Sequence, residues 1–197
     1  MKRTFTIFIL FFVSNLFPQT VSEINKVIKI PDSLSNEKEI RIYKRYSITN
    51  ASEIFRMYQT KEKKWKAELY KYYHETNSTQ TKFELQKLES NTDLRLVWLF
   101  FIENDIQILK SIKQIKHKLK GKPEYQLIDG EYEVISRQIH PLDGIGYEAF
   151  VRTDNYKHNF DFSNYDQYLK YYPKVDELNS YSEIINILQK EFNIWKS

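Results

Sequence analysis

An α+β domain is the fold this sequence predicts: a mainly antiparallel sheet with a central buried helix and two C-terminal helices packed on it. Three observations carry that reading. Apolar residues alternate with period two through much of the first half of the chain. An apolar run at Leu94–Ile102 and an amphipathic run at the C-terminus show helical signals instead. The two kinds of segment are grouped along the chain, which favours segregated helices and strands over alternating βαβ units.

The strands come first. Glu39–Ile48 puts Ile40, Ile42, Tyr46 and Ile48 on one face. Glu53–Gln59 and Trp65–Tyr73 flank the charged turn Thr60–Lys64 and read as a hairpin, with Trp65, Ala67, Leu69 and Tyr73 sharing a face. After a polar loop at 75–82, Phe83–Leu88 reads as a further strand. Glu131–Ile139 sets Tyr132 and Val134 against Ile135 and Ile139. Gly146–Arg152 and His158–Phe162 make a second hairpin around Thr153–Lys157.

Between these, Asn91 or Thr92 caps a helix whose first turn holds Asp93. Leu94, Val97, Trp98 and Phe101 share its face, while Leu99, Phe100 and Ile102 cover the other side, the pattern of a helix buried all round. Leu109, Ile112, Ile115 and Leu119 form a helical stripe, yet Ile115, His117 and Leu119 also alternate with lysines. The alternation is preferred, giving a strand at Gln114–Lys120 that ends at Gly121, Lys122 and Pro123. Ser163 opens a short helix that Pro173 stops. Ser180 and Glu183 have capping-box spacing and open the last helix, with Tyr181, Ile184, Ile185, Leu188, Phe192 and Trp195 at helical intervals.

The first residues read as a disposable export signal. Lys2 and Arg3 precede the apolar run Phe5–Val13, and Thr20, Val21 and Ser22 supply small residues for a cut after Ser22. The apolar run is shorter than the roughly 20 residues a membrane span needs. The expected organisation is a signal peptide at 1–22, a linker at 23–37 and one domain at 38–197. Of the 197 residues, 175 would remain, enough to bury a core, and loss of Lys2 and Arg3 lowers the formal charge from +4 to +2. That balance does not favour nucleic acid as a partner. The chain has no cysteine, which excludes a lipid-anchored cysteine, disulfides, thiol nucleophiles and thiolate metal sites. The four histidines lack helical metal-ligand spacing, and no nucleophile elbow, P-loop or dinucleotide fingerprint is present. No metal or cofactor is therefore expected.

Three groups of residues invite a functional reading. His140, Asp143, His158 and Asp161 could supply a histidine–carboxylate pair for acid–base chemistry. However, strand parity turns His158 and Asp161 to opposite faces. Lys113, Lys116, Lys118 and Lys120 lie in a run, Lys110–Lys122, with six lysines and no acid. Such a run suits a polyanion or envelope surface, or equally a solvated or edge-guarding face. Tyr165, Tyr168 and Tyr172 share a helical face that suits either a sticky aromatic patch or packing on the last helix.

The segment from Asp143 and Gly144 to Tyr147, then Phe160, Ser163, Asn164, Tyr168, Leu169 and Pro173, resembles an uncharacterised family of small exported proteins of Bacteroidetes-type bacteria. The Glu53–Tyr73 hairpin with Trp65 is similar to the same group. The resemblance implies an exported α+β domain and transfers no catalytic residue. The favoured expectation is a periplasmic or extracellular, non-catalytic binding domain whose partner is another envelope or secreted protein. The alternatives are a small hydrolase or transferase built on His140 and Asp143, and polyanion binding through Lys110–Lys122.

Overall fold

The computed structural model describes residues 20–47, 49–74, 81–141 and 144–196. The fold is α+β, and its elements run α1 (Val21–Ile28), β1 (Lys38–Tyr46), β2 (Ala51–Gln59), β3 (Trp65–Tyr73), β4 (Lys82–Lys87), α2 (Leu94–Glu103), α3 (Ile112–Ile115), β5 (Pro123–Ile128), β6 (Glu131–Ser136), β7 (Ile145–Thr153), β8 (Tyr156–Asp161), α4 (Tyr165–Tyr171) and α5 (Asp176–Phe192). A six-stranded antiparallel sheet has the order β4-β3-β2-β1-β7-β8, and β5 and β6 form a two-stranded sheet of their own. Ile48, the end of the expected first strand, and Asp143 lie outside the described residues.

Strand alternation sets the main core. Ile40 and Ile42 of β1 face the same way as Phe55 and Met57, Ala67 and Leu69, and Ala149 and Val151, because the register places Ile42 opposite both Phe55 and Ala149. Onto this face pack Val97, Trp98 and Phe101 of α2 and the stripe of α5. Leu96 and Leu99 stay about half exposed, so α2 buries one side and not its whole circumference. Asp93, expected in the first turn, is the cap: its side chain accepts from the Arg95 amide. The last helix starts at Asp176, before Ser180. Val175 is its N-cap, and the Asn179 side-chain Nδ2 donates to the Pro173 and Val175 carbonyls. The earlier start lets Leu178 join the buried stripe. The expected strand at Gln114–Lys120 is instead α3 followed by a 3-10 turn, Lys116–Lys118. Ile115 and Leu119 are buried at helical spacing, and the lysine alternation that suggested a strand is incidental.

The opposite face of the sheet carries a second core, where the expected linker at 23–37 is structured. Thr20 and Glu23 form a capping box that starts α1. Ile24, Ile28 and Ile30 are buried against Tyr43, Ile54, Tyr70 and Tyr72. The fully buried Asn25 accepts from the Tyr43 hydroxyl at 2.6 Å. The segment from Thr20 to Glu37 is thus part of the fold and not a linker, with Ile24, Ile28 and Ile30, flanked by Val21 and Val27, packed on rings that the sheet supplies.

This face also buries charge. Arg41 and Arg56 lie directly opposite each other across β1 and β2, a like-charge pair that is unfavourable alone. Glu39 bridges them at 2.8 and 2.9 Å, and Glu68 lies 3.8 Å from Arg56. The Arg41 guanidinium also donates to the Pro31 and Ser33 carbonyls, while Glu39 accepts from the Ser35 and Asn36 amides. Burial works to raise the Glu39 pKa, but Arg41, Arg56 and the Asn36 hydrogen bonds outweigh it and hold the carboxyl below its ordinary range. Residues 31–36 are fastened to the sheet through this network.

Candidate docking hairpin

Pairing fixes the geometry of β5 and β6. Tyr125 lies opposite Val134, and Leu127 opposite Tyr132, so the four side chains share one face. Asp129 and Gly130 connect the strands, both with positive φ (53° and 89°). Asp-Gly in this conformation matches the twist of a two-residue hairpin turn. At the stem, the Gly121 amide donates to the Arg137 carbonyl at 2.8 Å, and Leu119 just before it is buried in the main core. The hairpin is thereby anchored at its base and free at its tip.

The shared face is open. Tyr125, Leu127, Tyr132 and Val134 are 74, 63, 79 and 63% exposed. At roughly 150–250 Å² for each aromatic side chain, the four make a patch on the order of 500 Å², in the upper part of the range for the largest apolar patch of a monomer. The register turns Glu124, Gln126, Glu131 and Glu133 to the reverse face. From Pro123 to Ser136 the hairpin holds four acids, Glu124, Asp129, Glu131 and Glu133, and no base. An apolar face is therefore backed and rimmed by negative charge. A two-stranded sheet is marginal alone in water, so cover over this face would stabilise the hairpin.

The residues singled out from sequence sort differently. His140 is exposed in the segment after β6. His158 faces the main core, with Nε2 2.6 Å from the Leu109 carbonyl and its ring stacked against Phe160 and Tyr156. Asp161 points to the other face, and its backbone amide donates to Ser111 Oγ. The parity argument thus holds: His158 and Asp161 are not brought together, and His158 ties the loop after α2 to the sheet edge. No group of three or more His, Asp or Glu able to hold a metal ion occurs among the described residues.

Lys113, Lys116 and Lys120 are exposed, whereas Lys118 donates to Glu177 of α5 at 2.6 and 2.8 Å. Partial burial works to raise the Glu177 pKa, and the Lys118 hydrogen bonds pull it below the ordinary value. Tyr165, Tyr168 and Tyr172 are half-buried on the main core, and Tyr165 meets the rings of Tyr147 and Phe162. Burial raises the Tyr165 phenol to about 12. This packing uses the apolar side of the cluster and leaves Tyr171, at 64% exposure, in water.

The hairpin itself was not among the sequence candidates, although Asp129-Gly130 between two alternating runs is a strong short-range signal. Comparison of the chain with protein-family models, curated proteins and solved structures gives no significant match. No described helix is long and apolar enough to cross a membrane.

Proposed function

We propose that the chain is an exported, non-catalytic interaction domain that docks another envelope or secreted protein on the open face of the β5–β6 hairpin. The observation that carries this is the four-residue apolar face, Tyr125, Leu127, Tyr132 and Val134, left uncovered on a strand pair outside the main sheet. Charge selects the partner. A hairpin with four acids and no base favours an apolar surface ringed by lysine or arginine, since complementary charge steers association and fixes register. The tyrosines act as anchors that lose little side-chain entropy on binding. A standard interface covers about 800 Å² per partner, so the apolar patch forms its core and the glutamates its rim.

The opening Lys2, Arg3 and Phe5–Val13 support export, as does the resemblance to small exported proteins. With Thr20 capping α1, a cut upstream of Thr20 preserves the whole fold, whereas the cut after Ser22 read from sequence removes the cap. Intact-mass measurement of the exported protein tests this: a mass that includes Thr20 supports it, and an N-terminus at Glu23 or an uncut chain refutes it.

The docking proposal is tested by affinity capture from the native envelope and medium, using the domain and its Tyr125→Ser/Tyr132→Ser variant. Support requires one identified protein with a basic, apolar contact surface, held at least ten-fold more weakly by the variant and protecting hairpin amides from hydrogen exchange. Equal retention by the variant, protection confined to other elements, or a self-dimer abolished by the same substitutions would overturn it. Charge reversal of Lys113, Lys116 and Lys120 serves as the control; loss of capture there with the tyrosines intact would assign the contact to the lysine run instead.

A further inference from the structure

A second surface lies at the end of the main sheet where β1 begins and β2 and β7 finish. Three turns meet there: residues 31–37, Thr60–Lys64 between β2 and β3, and Thr153–Tyr156 between β7 and β8. Each is held in place. The first is fastened by Arg41 and Glu39. In the second, the Thr60 amide donates to the Lys64 carbonyl and the Lys63 amide to the Thr60 carbonyl. The third is joined to the first by the Asp154 amide, which donates to the Glu37 carbonyl at 2.7 Å. Between them is a cleft of about 430 Å³, within the range of small-ligand sites. Its lining is polar, with Ser35, Asn36 and Gln59 beside the charged groups Lys61, Lys63, Arg152 and Glu37.

The charges do not cancel. Glu37 pairs with Lys63 at 3.3 Å. Among the described residues, Arg152 donates to carbonyl oxygens, those of Asp154 and Leu34. The nearest acid in register, Glu39, lies opposite Arg152 across β1 and β7 but is already committed to Arg41 and Arg56. Lys61 forms no ion pair among the described residues. Glu62, on the same turn, is held below its ordinary carboxylate range by hydrogen bonding within the turn and by Lys66 and Lys61, and it does not line the cleft. Among the described residues, then, neither the Arg152 guanidinium nor the Lys61 ammonium in this polar cleft forms an ion pair, and Lys61 feels a carboxylate only through Glu62 beside it on the turn.

We propose that this cleft binds a tetrahedral oxyanion, a phosphate or sulfate group, between Arg152 and Lys61. The guanidinium fork suits two oxygens of such a group, and the lysine adds a point charge. The site stands independently of the hairpin, since neither surface shares a residue with the other.

The test is a titration of the isotope-labelled domain with inorganic phosphate, and separately with sulfate, at constant ionic strength, followed by amide NMR. Saturable shifts centred on Asn36, Lys61 and Arg152 are expected. Lys61→Gln and Arg152→Gln should each weaken the apparent affinity at least ten-fold, while Gln at Lys113, Lys116 and Lys120 leaves it unchanged. Because Arg152 also holds the Leu34 carbonyl, Lys61→Gln, at an exposed side chain, separates lost charge from a loosened loop. Shifts that rise without saturation, that are equal in Lys61→Gln and the parent, or that centre on residues 113–120 would overturn the proposal. A parallel titration with glycerol phosphate identifies the source: binding there assigns a phosphate carried on a larger molecule, and its absence beside phosphate binding assigns the free anion.

Discussion

The hairpins β7–β8 and β5–β6 have similar sequence patterns and opposite fates. Both are antiparallel, both alternate, and both turn through an aspartate with φ of 53°. In β7–β8, Ala149, Val151 and Phe160 are at most 1% exposed; in β5–β6 the corresponding apolar face stands open. The difference lies in the neighbours. β7 pairs along its whole length with β1, and α5 covers the result, whereas among the described residues β5 and β6 pair only with each other. Alternation thus reports that a strand has an apolar side. It does not report whether the same chain supplies the cover.

That contrast can be pressed from either hairpin, and the largest effect belongs to the covered one. Phe160→Ala empties a site packed among Phe162, His158 and Tyr181, and should cost about 4 kcal/mol in urea unfolding. Glu39→Gln, on the strand that anchors β7, leaves Arg41 and Arg56 without their shared carboxylate and should cost about 3 kcal/mol. The pH dependence follows the same group. Its folded pKa lies below the ordinary 4.5, so its contribution is complete above that value and is lost as pH falls through the folded pKa. The parent should therefore destabilise more steeply with acid below pH 4.5 than Glu39→Gln does, as read by thermal melts across that range. Thr20→Ala removes the α1 cap and should cost about 1 kcal/mol, measured by the same unfolding. Tyr132→Ala, on the open hairpin, should change stability by less than about 0.5 kcal/mol. A loss as large as that of Phe160→Ala would show that the face is covered after all.

Much of the sheet was legible because its main-core side follows simple parity: Ile40, Ile42, Ala67, Leu69, Ala149 and Val151 fall where alternation puts them. The other side was not. Glu39 and Arg41 count as outward residues in any polarity pattern, yet they are buried because they neutralise one another and satisfy the 31–36 backbone. The α1 segment carried its own signal, Thr20 and Glu23 at capping-box spacing, but the export reading drew attention to small residues at the same place. The α5 start was misplaced because Ser180 and Glu183 mimic a cap inside a helix already begun at Asp176. On the open face of β5–β6, Tyr132 and Val134 were placed correctly on one face. Their partners Tyr125 and Leu127 were missed because Pro123 read as the end of a strand rather than the start of one.

The position of β1 also governs when the molecule can become itself. Arg45 faces Ser52 on one side and Gly146 on the other, so the middle strand waits for a mate from the far half of the polypeptide. Such distant pairing slows folding. A chain that emerges from its N-terminal side can close the β1–β4 meander early, but β1 keeps one open edge until β7 is available. The far half of the chain therefore completes a core that the near half opens.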